Sequence, residues 1–102
     1  MIFESLDEIE KLPVKYQVIP YKKVVTKDLP KLDRLNLRSD FDEIVEILRR
    51  KPQAHLRHNE KLSGYTSQGQ RSMRINQKHR VVFSIGKTEV FIWSAWGHYT
   101  KR

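Results

Sequence analysis

The segment Ser72-Met73-Arg74-Ile75-Asn76-Gln77-Lys78-His79-Arg80-Val81-Val82-Phe83 decides the fold. Met73 and Ile75 precede a polar stretch, and Val81 and Phe83 follow it with the same period of two, the spacing of half-buried strands. If all four share the buried face of a hairpin, the numbers of paired residues must have an even sum. A three-residue loop Asn76-Gln77-Lys78 meets that condition, and it places Arg74 and Arg80 together on the opposite face. The next strand holds Val90 and Ile92 at inward positions. Gly86-Lys87 reads as a two-residue type II′ loop that pairs Ile85 with Thr88 and sets Arg80 opposite Trp93.

Upstream of this sheet the period becomes helical. Phe41, Ile44, Val45 and Leu48 form an apolar stripe on a helix from about Asp40 to Lys51, with Ser39 and Asp42 as its capping pair. Arg49, Arg50 and Lys51 fill its last turn, where cations suit the helix dipole, and Pro52 follows. Val25, Leu29, Leu32 and Leu35 suggest a further helix between Val24 and Leu37, with Pro30 in its first turn or at a kink. Tyr16 to Pro20 reads as a short strand, with Pro20 favouring an edge position or the strand's end because proline cannot donate to a ladder. Residues 53–70 read as loop. The expected architecture is α+β: a small antiparallel sheet with two N-terminal α-helices packed on one face and a cationic-aromatic surface on the other.

Residues 1–14 form a separate acidic amphipathic extension ahead of a domain spanning 15–102. Ser5-Leu6-Asp7-Glu8 has the pattern of a capping box, and Ile2, Phe3, Leu6, Ile9 and Leu12 suit a short helix that Pro13 stops. Two readings stay open for it: a tail, or a segment that packs on the domain or helps dock a partner.

Composition narrows the function. The 102 residues contain no cysteine, which excludes disulfides and thiolate metal sites. No apolar run approaches the roughly 20 residues that span a bilayer, and the N-terminus lacks the basic start and apolar block of a signal peptide. The expected location is cytoplasmic. The formal net charge is +8, and residues 47–102 carry twelve bases against two acids. So basic a half-chain points to a polyanionic partner, nucleic acid first. Four scattered histidines (His55, His58, His79, His98) support no metal site, and neither a phosphate-binding glycine loop nor a nucleophile elbow is present. What remains is a lone acid, Glu60, two arginines on one sheet face, and a terminal His98-Tyr99. Each also has a plain structural use: Glu60 as an ion-pair partner, the arginines as strand surface, the terminal pair as tail.

Taken together, Asn59-Glu60-Lys61-Leu62, Ser72 to Phe83, and Ser94-Ala95-Trp96-Gly97-His98-Tyr99 resemble the YoeB/Txe branch of the RelE-type bacterial toxins, over Tyr16 to Tyr99. The resemblance implies the RelE-like microbial RNase fold. It also implies a ribosome-dependent mRNA endonuclease that uses 2′-hydroxyl attack and needs neither metal nor cofactor. Matched residue by residue, Glu60 becomes the general base, His98 the general acid, Arg80 the transition-state arginine and Arg74 a second phosphate contact. Tyr99 would position substrate or orient His98, and Lys61, Arg57 and Trp93 would lie on the RNA surface. The implied partners are a cognate antitoxin of the YefM type, the ribosome with its mRNA, and a second copy of the chain in a homodimer, with no membrane. The alternative is a non-catalytic member of the same superfamily that binds and inhibits another target. Three departures are visible: Met73 replaces the first arginine of an Arg-Arg pair, Ser63 to Gln70 differs from the usual loop, and Pro30 is unexpected in the first helix. Strict alternation from Val90 would also turn His98 toward the core, so its assigned role requires a bulge or turn near Gly97.

Overall fold

The computed structural model describes residues 4–62 and 69–97. Helix α1 (Leu6–Glu10) opens as the capping box requires, with the Glu8 amide donating to Ser5 Oγ at 3.4 Å. Strand β1 (Gln17–Pro20) leads into a π-helical turn (Val24–Asp28) that runs directly into α2 (Leu29–Arg34). Helix α3 (Arg38–Arg50) follows, and then β2 (Glu60–Lys61), β3 (Gln70–Arg74), β4 (Arg80–Ile85) and β5 (Glu89–Ser94).

The result is a mixed α+β fold with a five-stranded sheet in the order β1-β5-β4-β3-β2. It is antiparallel except at one edge, where β1 pairs parallel with β5. The helical segments carry the chain from β1 to β2 at the far edge, running the opposite way, and three antiparallel steps then bring β5 back alongside β1 in the same direction. One core joins the two layers. Val24, Leu32, Phe41, Ile44, Ile47 and Leu48 from the helical segments pack with Met73, Val81, Phe83, Val90 and Ile92 from the sheet, all 5% exposed or less.

The expected β3–β4 hairpin is present. Arg74 lies opposite Arg80 and Met73 opposite Val81, and the Ile75 amide donates to the His79 carbonyl around Asn76-Gln77-Lys78. The next turn is displaced by two residues from the expected register. Ile85 pairs with Val90, and the Gly86 amide donates to the Glu89 carbonyl at 2.7 Å, so the loop is Lys87-Thr88. An even slip preserves the faces, which is why the inward residues were assigned correctly, but it carries Arg80 away from Trp93.

The helices also depart from expectation. On α3 neither Ser39 nor Asp42 caps: the helix starts at Arg38, whose guanidinium binds Asp42 and Asp33, and Ile47 joins the buried stripe. Ahead of α2, Val24, Asp28 and Leu32 are buried while Val25 and Leu35 are half exposed. Asn36 makes the corner between α2 and α3: its φ of +58° is the left-handed conformation that asparagine tolerates, and the Leu37 amide closes back on the Leu32 carbonyl.

The described part of the N-terminal extension is integral to the fold. Ile9 is 2% exposed within the core, and the Glu4 carboxylate takes hydrogen bonds from Lys51 Nζ and, at 2.9 Å, from the His55 amide. Arg50 Nε donates to the Leu12 carbonyl at 3.1 Å. Ile2 and Phe3 of the expected stripe lie outside the described residues.

Candidate functional site

Residues alternating with the core residues of β3 and β4 form the open face of the sheet. Ser72, Arg74, Arg80, Val82 and Ser84 stand there, and Glu60 joins them because β2 pairs it with Ser72. Met73 faces the core opposite Val81, so the departure seen in the sequence lies on the other side of the strand.

Arg80 is the centre of the face. It is 9% exposed; its Nε donates to Ser72 Oγ and its Nη2 to the His58 carbonyl, both at 2.9 Å. Glu60 Oε1 lies 3.8 Å from the same Nη2, on a carboxylate that is itself 63% exposed. Burial lowers the Arg80 pKa from its ordinary value, Glu60 opposes that shift, and the neighbouring charge of Arg74 adds to it. A guanidinium still keeps its proton at neutral pH. The arrangement is therefore a fixed cation, oriented by neutral acceptors, with an exposed acid beside it. Such a group can meet negative charge without reorganising.

The loop that supplies the His58 carbonyl is tightly held. Arg57 and His58 have φ of +51° and +52°, sparsely populated values for side-chain-bearing residues. Asn59 Nδ2 donates to the Pro52 and Ala54 carbonyls while its Oδ1 accepts from Arg71 Nε. Arg57 is not brought to the open face. Its guanidinium pairs with Asp40 and Glu43 on α3 and donates to the Arg74 and Ile75 carbonyls. Lys61 pairs with Arg71, one residue out of phase with Glu60, and so lies on the opposite face of its strand.

At β5 a bulge inserts Trp93: Phe83 pairs with Ile92 but Val82 with Ser94. The inward parity then switches, and Ala95 is fully buried where strict alternation would have buried Ser94. The backbone turns at Gly97, whose φ is +81°. Its amide donates to His79 Nδ1 and its carbonyl accepts from the Arg80 amide, both at 2.9 Å. Trp96 stacks on the His79 ring with 4.0 Å between centroids. The described chain thus ends hydrogen-bonded to the backbone of the residue that holds the buried guanidinium. His98 and Tyr99 lie outside the described residues. Trp93 sits on the open face farther along β4, its Nε1 donating to Ser84 Oγ at 2.8 Å.

Solved structures share this architecture. The YoeB/ParE toxin from Agrobacterium tumefaciens superimposes with a TM-score of 0.71 at 20% identity, covering 81% of this chain and 99% of its own. The fold is that of the YoeB-type toxins. A YoeB dimer from Staphylococcus aureus matches with a TM-score of 0.71 at 20% identity over 83% of this chain and 99% of that one. The YoeB–YefM complex from the same organism gives 0.68 at 22% over 82% and 98%. No family model and no curated relative matches the chain. The coverage of the YoeB chains is nearly complete, so this chain holds a whole YoeB-type fold.

Among the described residues no group of three or more His, Cys, Asp or Glu side chains could hold a metal ion, and no helix is long and apolar enough to cross a membrane. Sequence reading missed two parts of the site. Ser72 was within reach, since the parity that joins Arg74 to Arg80 also puts Ser72 on their face. The His58 carbonyl was not, because a backbone acceptor leaves no mark in residue type.

Proposed function

We propose that this chain is the toxin of a type II toxin–antitoxin pair, a ribosome-dependent endoribonuclease that cuts mRNA and is neutralised by a cognate antitoxin of the YefM type. The observation that carries the reading is the Arg80 guanidinium, oriented by Ser72 and His58, with the Glu60 carboxylate 3.8 Å away and the Gly97 turn bonded to its backbone. Simple nucleic-acid affinity is served by exposed lysines and has no need of a buried, oriented cation. Cleavage through the ribose needs such a cation at the phosphate.

In the reaction, Glu60 takes the proton of the 2′-hydroxyl and O2′ bonds to the adjacent phosphorus. The bond from phosphorus to O5′ breaks, and His98 gives the leaving oxygen its proton. The products are a 2′,3′-cyclic phosphate and a 5′-hydroxyl. Arg80, seconded by Arg74, balances the charge that builds on the phosphoryl oxygens; guanidinium geometry suits two of them at once. Each proton transfer contributes ~10²–10⁴-fold. No step requires a metal. Tyr99 orients His98 or the substrate. The partners follow from the likeness to YoeB chains solved with YefM and as a dimer.

The test maps mRNA 5′ ends in a translating extract with wild type, Glu60→Gln, Arg80→Ala and His98→Ala, with and without chelator. Codon-phased cleavage by wild type that resists chelation and is lost in the variants is expected. Arrest of translation without cleavage overturns the nuclease and leaves a target-binding toxin. Equal cleavage of naked RNA overturns ribosome dependence.

A further inference from the structure

The open face of the sheet continues past the arginine site to a second feature at the β1–β5 edge. Tyr21, Lys22, Lys23, Thr26, Lys27 and Trp93 line a groove of about 570 Å³. Tyr21 is 56% exposed and meets Trp93 edge-on, with 4.8 Å between ring centroids, and Phe91 stacks behind Trp93 at 6.0 Å. The groove is built on a fixed frame. The Tyr21 amide donates to the Ile92 carbonyl at 2.8 Å, and Val24 and Asp28 anchor the π-helical turn from below. Asp28 accepts from the Ala95 amide and pairs with Lys23 at 3.4 Å. Because the buried positions are Val24 and Asp28, Lys22, Thr26 and Lys27 are turned outward.

The polar atoms of this groove decide what it can hold. The Trp93 indole N–H is spent on Ser84, and Thr26 Oγ1 on the Lys22 carbonyl. Lys23 is occupied by Asp28 and Ser94. Lys22 and Lys27 have no carboxylate partner among the described residues. The groove therefore offers aromatic ring surface and two uncommitted ammonium groups, with the Tyr21 hydroxyl at its mouth and no side-chain amide or carboxylate in its lining to read a peptide. Ring faces beside cations are the combination that holds a single-stranded nucleic acid, base on ring and phosphate on lysine.

We propose that the Tyr21–Trp93 groove is a base-stacking subsite for single-stranded RNA, separate from the arginine site and lying on the same sheet face. Ser84, to which Trp93 is tethered, is four residues from Arg80 along β4, about 13 Å at the rise of a strand. A strand whose phosphate rests at Arg80 would place a base some nucleotides away in the groove. Tyr21, Lys22 and Lys27 thereby become RNA-contacting residues, and Trp93 acts through its ring rather than its N–H. The proposal rests on the reading of the chain as an RNA-directed toxin, but its test does not depend on cleavage.

The probe is a single-stranded 2′-O-methyl oligonucleotide, which lacks the attacking hydroxyl and cannot be cut. Its affinity for the isolated full chain is measured at fixed low salt for wild type, Tyr21→Ala, the pair Lys22→Ala/Lys27→Ala, and the charge-matched pair Lys11→Ala/Lys15→Ala. The two tryptophan indole resonances, assigned with Trp93→Phe, report where it binds. Tyr21→Ala and the Lys22/Lys27 pair are expected to weaken binding about ten-fold each, with the Lys11/Lys15 pair changing it less than about two-fold, and the Trp93 indole is expected to shift on titration. Equal losses in both lysine pairs, or a Trp93 indole that does not move, would overturn the subsite. So would a poly-glutamate peptide that shifts Trp93 as strongly at the same charge, since that would make the groove an acidic-peptide site. If 5′-end mapping finds no cleavage while the groove still binds, the nuclease reading fails and the subsite stands. Cleavage with neutral groove variants gives the reverse.

Discussion

Replacing Glu4 by glutamine tests whether the N-terminal extension is part of the working fold. Its carboxylate is 7% exposed and receives two donors from opposite ends of the segment that follows α3: Lys51 Nζ and the His55 amide. That segment continues to Arg57, His58 and Glu60, so Glu4 holds the root of the loop whose His58 carbonyl orients Arg80. Hydrogen bonds to a charged group contribute about 1.5–3 kcal/mol each. Lys51 is 44% exposed, and water screens its share heavily. About 2 kcal/mol for the whole brace is the reasonable magnitude, and in a domain of this size it corresponds to about 8–10 °C in Tm. The pH dependence is specific. The hydrogen bond from Lys51, then that from the His55 amide, lowers the Glu4 pKa from 4.5. A depressed carboxylate stabilises the fold above its unfolded pKa, and that contribution disappears as pH falls through the folded value. The assay is thermal unfolding of wild type and Glu4→Gln between pH 3 and 8. The gap in Tm should be constant from pH 6 to 8 and close below about 4.5. Glu46, whose pKa Arg50 and then Arg49 lower, titrates in both proteins and cancels in the difference. A gap below about 1 °C at neutral pH, or one that persists into acid, refutes the brace.

Other outcomes follow from single contacts. Arg80→Lys should stay folded by circular dichroism yet lose about 10²–10³-fold in cleavage, because one ammonium nitrogen cannot occupy both the Nε and Nη2 positions that reach Ser72 and His58 and lacks the planar fork for two phosphoryl oxygens. Gly97→Ala meets no atom within 4 Å at its new Cβ, so its cost is the backbone at φ +81°, about 1–2 kcal/mol by denaturant titration. Gly97→Asn should cost less; equal costs would mean that φ is not the cause. Arg57→Ala should destabilise the fold by about 2–3 kcal/mol, since it leaves two buried-edge carbonyls and two α3 carboxylates without their donor. An unchanged midpoint would return Arg57 to the surface role expected from sequence.

Much of this was legible because it rests on period. Apolar alternation around Asn76-Gln77-Lys78 fixes parity, and parity alone joins Arg74 to Arg80. The α3 stripe is legible for the same reason, at a period of 3.6. Parity does not fix register, and a slip of two residues in the β4–β5 hairpin is invisible to it. The slip, together with the bulge at Trp93, nevertheless carries Arg80 away from Trp93, and its amide bonds to the Gly97 carbonyl instead. The short strand β2 carries no pattern of its own and exists because β3 offers it an edge. The left-handed residues Arg57 and His58 break the ordinary preferences of their types, and only surrounding bonds hold them there.

By itself, then, the sequence determines which residues face inward and which sheet face gathers the arginines, because burial of side chains follows periodicity and periodicity is local. It also determines the basic balance of the chain, a net charge of +8, since charge adds up without regard to structure. Only the tertiary structure decides the working geometry. The extra residue at Trp93 reverses the inward parity, Gly97 turns the chain onto the Arg80 backbone, and a carbonyl fourteen residues before Ser72 aims the guanidinium. Bulges, left-handed backbone and backbone acceptors come from how distant segments compete for hydrogen bonds, and no residue type records that competition.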